Sequence, residues 1–225
     1  MTPVPPLEPP ARAALETVLR LLEEERASVS SVTAPRQAWK VHVEDSLTGL
    51  EVEDLRKAER IADLGSGAGF PGLVLAVALP QAKVDLIESV GRKCAFAERA
   101  IEAAGVGNGR VLCERSEEAA TAAGREAYDA VTARAVGRLS TLAELASPLL
   151  REGGVLVAWK GKRDADEEEQ LARAAERLAV RPEAVLDVGD RAGSRHRHLH
   201  VLRKVGATPA DLPRRPGMAK KRPRG

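Results

Sequence analysis

Aromatic side chains are scarce in this 225-residue sequence, which contains two Trp, two Phe and one Tyr. Proteins that bind single-stranded nucleic acid without sequence preference stack bases on several aromatic rings, so the composition excludes a surface built from many such platforms. No apolar run approaches the ~20 residues of a membrane span, and residues 1–10 lack the charged and apolar blocks of a signal peptide. We therefore expect a cytoplasmic protein with no membrane partner.

Cysteine is almost absent as well. Two cysteines, Cys94 in a predicted helix and Cys113 at a predicted strand end, are too few for a disulfide framework or a cysteine-based metal cluster. We expect both to be packing residues and expect no bound metal.

The net charge of +2 conceals an uneven distribution. Residues 191–225 carry eleven Lys or Arg and a single acid, Asp211, whereas the first 190 residues carry 24 basic and 32 acidic residues. A basic end on an acidic body favours a polyanionic partner such as nucleic acid. Because Pro and Gly separate the basic groups, the sequence predicts an extended C-terminal arm that lies apart from any cofactor site; a tail that serves only solubility is the alternative.

An apolar strand ending at Leu64 runs into a glycine-rich turn with glycines at 65, 67, 69 and 72. Glycine permits positive φ and leaves no Cβ, so a ligand can approach the backbone amides at the start of the following helix. The spacing fits two kinds of site. Gly67-x-Gly69-x-x-Gly72 matches the dinucleotide fingerprint, and Asp63-x-Gly65-x-Gly67-x-Gly69 matches the S-adenosylmethionine turn of Rossmann-like methyltransferases.

Glu88 ends a second predicted strand, 83–88. A carboxylate at this place binds ribose hydroxyls, which both cofactors carry, so Glu88 predicts a nucleotide site without naming it. A merely solvated acid at a strand end is the alternative.

Strands and helices alternate at short spacing along the rest of the chain. The predicted strands after 83–88 are 110–113, 128–133, 154–160, 184–188 and 198–205, with helices at 92–104, 116–123, 138–150 and 165–179 between them. Such alternation predicts an α/β fold with a mostly parallel seven-stranded sheet, helices on both faces and an antiparallel last strand. We divide the chain into an N-terminal helical extension (1–50), a cofactor domain (51–205) and a basic tail (206–225).

Several separated segments then resemble one family in order and spacing. They are 42–47 (His-Val-Glu-Asp-Ser-Leu), 63–72, Glu88 with Arg92-Lys93 and Phe96, 115–117, 134–135, 159–161, and the tail pairs around 208–209 and 213–217. Together they resemble the RsmG family, also called glucose-inhibited division protein B, bacterial methyltransferases of guanine N7 in 16S ribosomal RNA. The resemblance covers about residues 30–223. The segment Ser31-Val32-Thr33 departs from the family's Asn-Leu-Thr.

The resemblance implies S-adenosylmethionine as cofactor and 16S rRNA in the small ribosomal subunit as partner, for a protein that we expect to be monomeric. It implies cofactor contacts for Gly65 and Phe70 in the turn, for Ser116 and Glu117 near the adenine, and for Arg134; the turn glycines Gly67 and Gly69 and the acid Glu88 complete the predicted set. Because guanine N7 has a lone pair and no proton to lose, no general base is expected. Arg134 and Lys160 are predicted to position the substrate, and Lys160, Arg197, Arg214 and Arg215 to contact RNA.

Three points stay open at this level. His42 either fixes the N-terminal helices against the domain or contacts RNA. The chain as a whole could instead be an NAD-dependent oxidoreductase, although no hydride-side acid or base is evident. It could also be a ribosome-associated RNA-binding protein without catalysis.

Overall fold

The computed structural model describes residues 6–25, 29–189 and 196–224. Its N-terminal part is helical, beginning with a long amphipathic helix. The elements are α1 (Pro9–Glu24), α2 (Pro35–Ala38), a π-helical stretch (Trp39–Glu44), α3 (Asp45–Leu47), a 3-10 turn (Thr48–Glu51) and α4 (Glu53–Arg56). Helix α1 buries Leu15, Val18, Leu19 and Leu22, which recur at helical spacing on one face.

Alternating strands and helices follow, as the sequence predicts. The elements are β1 (Arg60–Leu64), α5 (Gly72–Ala78), β2 (Lys83–Ile87), α6 (Gly91–Ala103), β3 (Gly109–Leu112), α7 (Ser116–Ala119), β4 (Tyr128–Arg134), α8 (Leu139–Ala146), β5 (Leu150–Lys160), α9 (Ala165–Ala175), β6 (Val180–Asp187), β7 (His198–Lys204) and α10 (Met218–Lys221). None of the described helices combines the length and the hydropathy that a membrane crossing needs.

The seven strands form one sheet in the order β3-β2-β1-β4-β5-β7-β6. Neighbours from β3 through β5 are parallel, and β7 lies antiparallel between β5 and β6. This confirms the predicted sheet with its antiparallel last strand. The strand order reverses between β1 and β4, and ligands of open α/β sheets bind in the crevice outside the carboxyl ends of the strands at such a switch point.

Two apolar clusters lie on the sheet. One includes the buried face of α1 together with Leu73, Phe96 and Trp159. The other includes Tyr128, Leu142 and Leu212. Helix α1 and the domain therefore share a core, and so does Leu212 of the tail.

Two expectations are wrong. Cys94 and Cys113 form a disulfide, with Cα atoms 5.7 Å apart, because the start of α6 lies beside the residue that follows β3. The tail is not an extended arm: Leu212 and Ala219 are buried against the domain. The sequence could not show this, because the acid that pairs with the tail, Glu144, lies about 70 residues earlier.

A smaller correction concerns the boundary between the predicted helix 138–150 and the predicted strand 154–160. Helix α8 ends at Ala146 and β5 begins at Leu150, so both glycines lie within the strand. Gly153 has φ +79° where the pairing with β4 is irregular.

Candidate active site

Asp63, in the strand that precedes the glycine turn, fixes the far end of the turn to the sheet. This fully buried carboxylate in β1 accepts a hydrogen bond from the Gly72 amide at 2.9 Å and one from the Thr132 hydroxyl of β4 at 2.7 Å. A Cβ at Gly72 would come within 2.8 Å of Asp63. Burial raises the pKa of Asp63 to about 7, although both hydrogen bonds favour the carboxylate. Asp63 thus fixes where α5 starts relative to the sheet.

Gly65 lies at the junction of two cavities along the carboxyl edge of the sheet. It has φ +61°, and a Cβ there would come within 2.8 Å of the Val136 side chain. The first cavity, of about 210 Å³, lies towards β2 and β3 and is lined by Leu64, Gly65, Ile87, Glu88, Ser89, Glu114, Arg115, Ser116, Glu117, Val136, Thr141, Leu145, Gly217, Ala219 and Lys220. We call it the adenosine cavity, because Glu88, Ser116 and Glu117, which the sequence predicts to contact the nucleoside part of the cofactor, lie in its lining.

Glu88 is buried at the wall of this cavity. One carboxylate oxygen accepts a hydrogen bond from the Gly67 amide at 3.0 Å, and the other accepts from the Ser89 and Val90 amides at 2.8 Å. Glu88 therefore connects the glycine turn to the end of β2. Because it is buried and hydrogen-bonded, it is not the merely solvated acid of the alternative interpretation. Because Oε2 accepts a single hydrogen bond, it has acceptor capacity left for a ribose hydroxyl.

Ser116 and Glu117, the first residues of α7, also line this cavity. The Ser116 hydroxyl donates to Glu117 Oε2 at 3.2 Å, and Glu117 Oε1 accepts from the Gly217 amide of the tail at 2.7 Å. Glu117 is thus a buried connection between the cavity wall and the C-terminal segment.

The second cavity, of about 320 Å³, lies towards β4 and the N-terminal helices. We call it the methyl-transfer cavity, because the resemblance predicts the reacting groups at the end of β4, beside Arg134. It is lined by Val29, Ser30, Ser31, Val32, Val41, His42, Gly65, Ser66, Gly67, Ala68, Phe70, Lys93, Arg134, Ala135 and Arg197. The buried hydroxyl of Ser66 has no hydrogen-bond partner among the described residues. This hydroxyl can donate to a ligand, and the neighbouring glycines have no Cβ to block one. Both features suit a polar, extended cofactor that lies across Gly65.

His42 packs against the turn. Its ring stacks on Phe70, with the centroids 4.4 Å apart. Its Nε2 lies 2.9 Å from the Val32 carbonyl, which can only accept, so this nitrogen carries the proton. Burial lowers the pKa of His42, which keeps the ring neutral at pH 7. These contacts support the structural role that the sequence left open.

Arg134 ends β4 beneath the N-terminal helices. It donates hydrogen bonds to the Val41 carbonyl at 2.9 Å and to Asp45 Oδ2 at 2.8 Å. The other oxygen of Asp45 lies 2.8 Å from Arg197 Nε, as an ion pair without hydrogen-bond alignment. Asp45, at 1% exposure, therefore separates two guanidinium groups that face the same cavity.

Two of the other predicted RNA contacts, Lys160 and Arg214, pair with acidic side chains of the protein. Lys160 donates to Glu167 at 2.7 Å and to the Gly137 carbonyl at 2.9 Å, and it lines neither cavity. Arg214 is paired with Glu144 in the tail. Arg215 is exposed.

Sequence reasoning missed two groups of site residues. The tail residues Gly217, Ala219 and Lys220 line the adenosine cavity. Asp45 lies within the segment 42–47 on which the resemblance rests, and this position could have marked it as a site residue. No local pattern indicates that it pairs with Arg134.

The fold is shared with solved structures. The fold is similar to that of an S-adenosylmethionine-dependent O-methyltransferase from Thermotoga maritima, with a TM-score of 0.60 at 15% identity, over 84% of this chain and 71% of that one. It is also similar to a fibrillarin pre-rRNA processing protein of Methanococcus jannaschii, with a TM-score of 0.57 at 16% identity, over 72% and 74%. The fold is that of the class I, Rossmann-like methyltransferases.

Sequence comparison then gives the family. A model described as rRNA small subunit methyltransferase G matches residues 14–199, and the chain belongs to that family. A relative named ribosomal RNA small subunit methyltransferase G from Rubrobacter xylanophilus is 42% identical over 92% of this chain and 81% of its own length. One of the same name from Syntrophomonas wolfei is 38% identical over 93% and 98%.

Proposed function

We propose that this protein transfers the methyl group of S-adenosylmethionine to N7 of one guanine in 16S ribosomal RNA. The observation that carries the proposal is the pair of cavities meeting at Gly65, in a chain whose family is the rRNA small subunit methyltransferase G family. The family supports this interpretation of the glycine turn over the NAD alternative. As further parts of the proposal, the protein acts as a monomer, in the cytoplasm, on the small ribosomal subunit.

The residues around the adenosine cavity would hold the nucleoside half of the cofactor. Glu88 would accept hydrogen bonds from the ribose hydroxyls, and Ser116 and Glu117 would face the adenine. Gly65 and Gly67 would let the cofactor cross the turn, and Ser66 would offer its free hydroxyl in the methyl-transfer cavity.

S-adenosylmethionine supplies an electrophilic methyl group on a positively charged sulfur. Attack of the guanine N7 lone pair on this methyl group would form the new N–C bond and leave the C–S electron pair on sulfur, so no proton would move and no base would be required. The target ring becomes cationic. The protein's contribution is therefore to position the two reactants and to avoid placing an uncompensated cation beside them.

The methyl-transfer cavity meets that second requirement at two positions. Asp45 compensates the guanidinium of Arg134, and the lowered pKa of His42 keeps its ring uncharged. Lys93, also in the lining, and Arg197 would bind the cofactor's carboxylate or an RNA phosphate. Arg134 would thus act as a positioning residue that holds the N-terminal helices over the reacting groups.

The experiment is methyl transfer to small ribosomal subunits. We would incubate subunits lacking the modification with labelled S-adenosylmethionine, digest the RNA and identify the labelled nucleoside by mass spectrometry. The expected product is 7-methylguanosine at one site in 16S rRNA. Gly67→Val should lose the activity, because a branched side chain at φ +61° distorts the turn. Gly91→Ala, with open space around the added methyl group, is the matched control.

Label in another nucleoside would contradict guanine N7, and label on protein would contradict the RNA substrate. Binding to subunits with no transfer of label would favour a non-catalytic RNA-binding protein. Naked 16S rRNA serves as a second substrate, and equal rates on both would contradict a requirement for the assembled subunit.

A further inference from the structure

The C-terminal segment, residues 207–224, is docked on the domain by buried contacts. Leu212 is 3% exposed, and its carbonyl accepts a hydrogen bond from Arg125 at 2.9 Å. Near its start, the Thr208 hydroxyl accepts from the buried amine of Lys204 at 2.8 Å. The segment that the sequence presents as a basic arm is therefore part of the folded domain.

A buried carboxylate anchors its second half. Glu144 of α8 has a side chain that is 2% exposed, and Arg214 donates to both of its oxygens at 2.5 and 2.6 Å. Arg224 adds a second guanidinium 3.9 Å from the same carboxylate. An acid buried this deeply destabilises the fold unless it is paired, so Glu144 holds the tail in one place.

The anchored segment reaches the adenosine cavity. Gly217 donates its amide to Glu117, Thr141 donates to the Ala219 carbonyl at 3.4 Å, and Gly217, Ala219 and Lys220 belong to the lining. Glu144 itself does not line the cavity. Gly217 and Glu117, which this hydrogen bond joins, are 100 residues apart in the sequence.

We propose that the C-terminal segment is one wall of the cofactor site and that Glu144 is a positioning residue for cofactor binding. Docking of residues 214–224 places the Gly217 amide on Glu117 and Lys220 beside the adenosine. Cofactor binding and tail docking therefore stabilise each other, because a ligand that binds the docked form preferentially shifts the equilibrium towards it. This inference rests on the proposed function, since it assigns the cavity to S-adenosylmethionine.

Calorimetry with S-adenosylhomocysteine tests the wall directly. Lys220→Ala should weaken binding about threefold or more, whereas Lys221→Ala, the exposed neighbour outside the lining, should stay within about twofold of wild type. Glu144→Gln should weaken binding about tenfold. Adenosine alone should show the same order of affinities, because the tail meets only the nucleoside half.

Glu144→Gln could also unfold the protein, so a second variant is needed. A chain ending at Leu212 and carrying Glu144→Leu lacks residues 213–225 and also the buried charge that Arg214 neutralises. With a cooperative melting transition, this variant should bind S-adenosylhomocysteine at least tenfold more weakly, and the KM for S-adenosylmethionine should rise more than kcat falls. Wild-type affinity in this variant would overturn the proposal. Failure of the wild-type protein to bind S-adenosylhomocysteine would instead contradict the proposed function.

Discussion

The imidazole of His42 lies flat on the phenyl ring of Phe70, with the two planes 9° apart. This stack joins the π-helical stretch of the N-terminal part to the glycine turn of the domain. The Arg134 guanidinium carbon also lies near this ring, 5.9 Å from the Phe70 centroid. The N-terminal helices are thus fastened to the glycine turn, where we propose that the cofactor crosses the sheet edge.

Replacing His42 with Ala should therefore weaken both the fold and cofactor binding. The variant loses the ring stack and the hydrogen bond to Val32, for a cost of about 2–4 kcal/mol in the free energy of unfolding. Denaturant unfolding and calorimetry with S-adenosylhomocysteine measure the two effects. Lys40→Ala, at an exposed position of the same stretch, should change neither. An unaltered cofactor affinity in a folded His42→Ala protein would limit His42 to a stabilising role.

Glu88→Ala should weaken cofactor binding by about 1–3 kcal/mol, the scale of a lost charge-assisted hydrogen bond. Glu88→Asp should lose less, because a carboxylate is still present near the ribose. Glu88→Ala should also be less stable, since the amides of Gly67, Ser89 and Val90 lose their acceptor. Glu98→Ala on the exposed side of α6 is the control. If Glu88→Ala binds S-adenosylhomocysteine like wild type, the ribose assignment is wrong.

Asp63 should give the protein a distinctive pH dependence. Its pKa of about 7 in the folded state lies above the ordinary value of 3.8, so the folded protein binds more protons than the unfolded chain between about pH 4 and 7. The contribution of Asp63 to stability is therefore greatest below pH 4 and falls as the pH rises to 7, by about 4 kcal/mol. Its sign is opposite to that of a salt-bridged acid.

Asp63→Asn isolates this contribution, because an amide can accept from Gly72 and donate to Thr132 without titrating. Urea unfolding at several pH values gives the free energy of unfolding of each protein. The value for wild type minus the value for the variant should decrease from pH 4 to pH 7. A difference that is flat or rises over this range would contradict a protonated buried Asp63.

The Cys94–Cys113 disulfide should contribute measurably to stability. It closes a loop with a sequence separation of 19, for which chain entropy gives about 3 kcal/mol. Dithiothreitol should therefore lower the Tm by roughly 6–12 °C for a chain of this size. The double variant Cys94→Ala and Cys113→Ala should melt at the lower temperature and ignore the reductant. Equal melting of wild type with and without dithiothreitol would show that the disulfide adds no stability.

The reductant should also weaken cofactor binding. Cys113 directly precedes Glu114 and Arg115, which line the adenosine cavity, and Cys94 contacts the Glu88 carbonyl. Calorimetry with S-adenosylhomocysteine under both conditions measures this, and an unchanged affinity would separate the disulfide from the site.

Features that depend on neighbours in sequence could be predicted from the sequence. The glycine turn after β1, Glu88 at the end of β2 and Ser116-Glu117 at the start of α7 all follow strands whose apolar runs are recognisable, and parallel strands bring their carboxyl ends to one edge. The sheet with its antiparallel last strand was predicted for the same reason, since hydrophobic periodicity and short connections restrict the topology.

Pairings between distant residues were decided only by the tertiary structure. Packing of the helices on the sheet forms the ion pairs Asp45–Arg134 and Glu144–Arg214 and the disulfide Cys94–Cys113. No local sequence pattern indicates these contacts. The tail shows this most clearly. Its composition indicated an exposed arm, but Leu212 fills part of the core and Arg214 neutralises a buried acid. Burial of charge and apolar area against the rest of the molecule therefore determined its position, and these are properties of the folded chain.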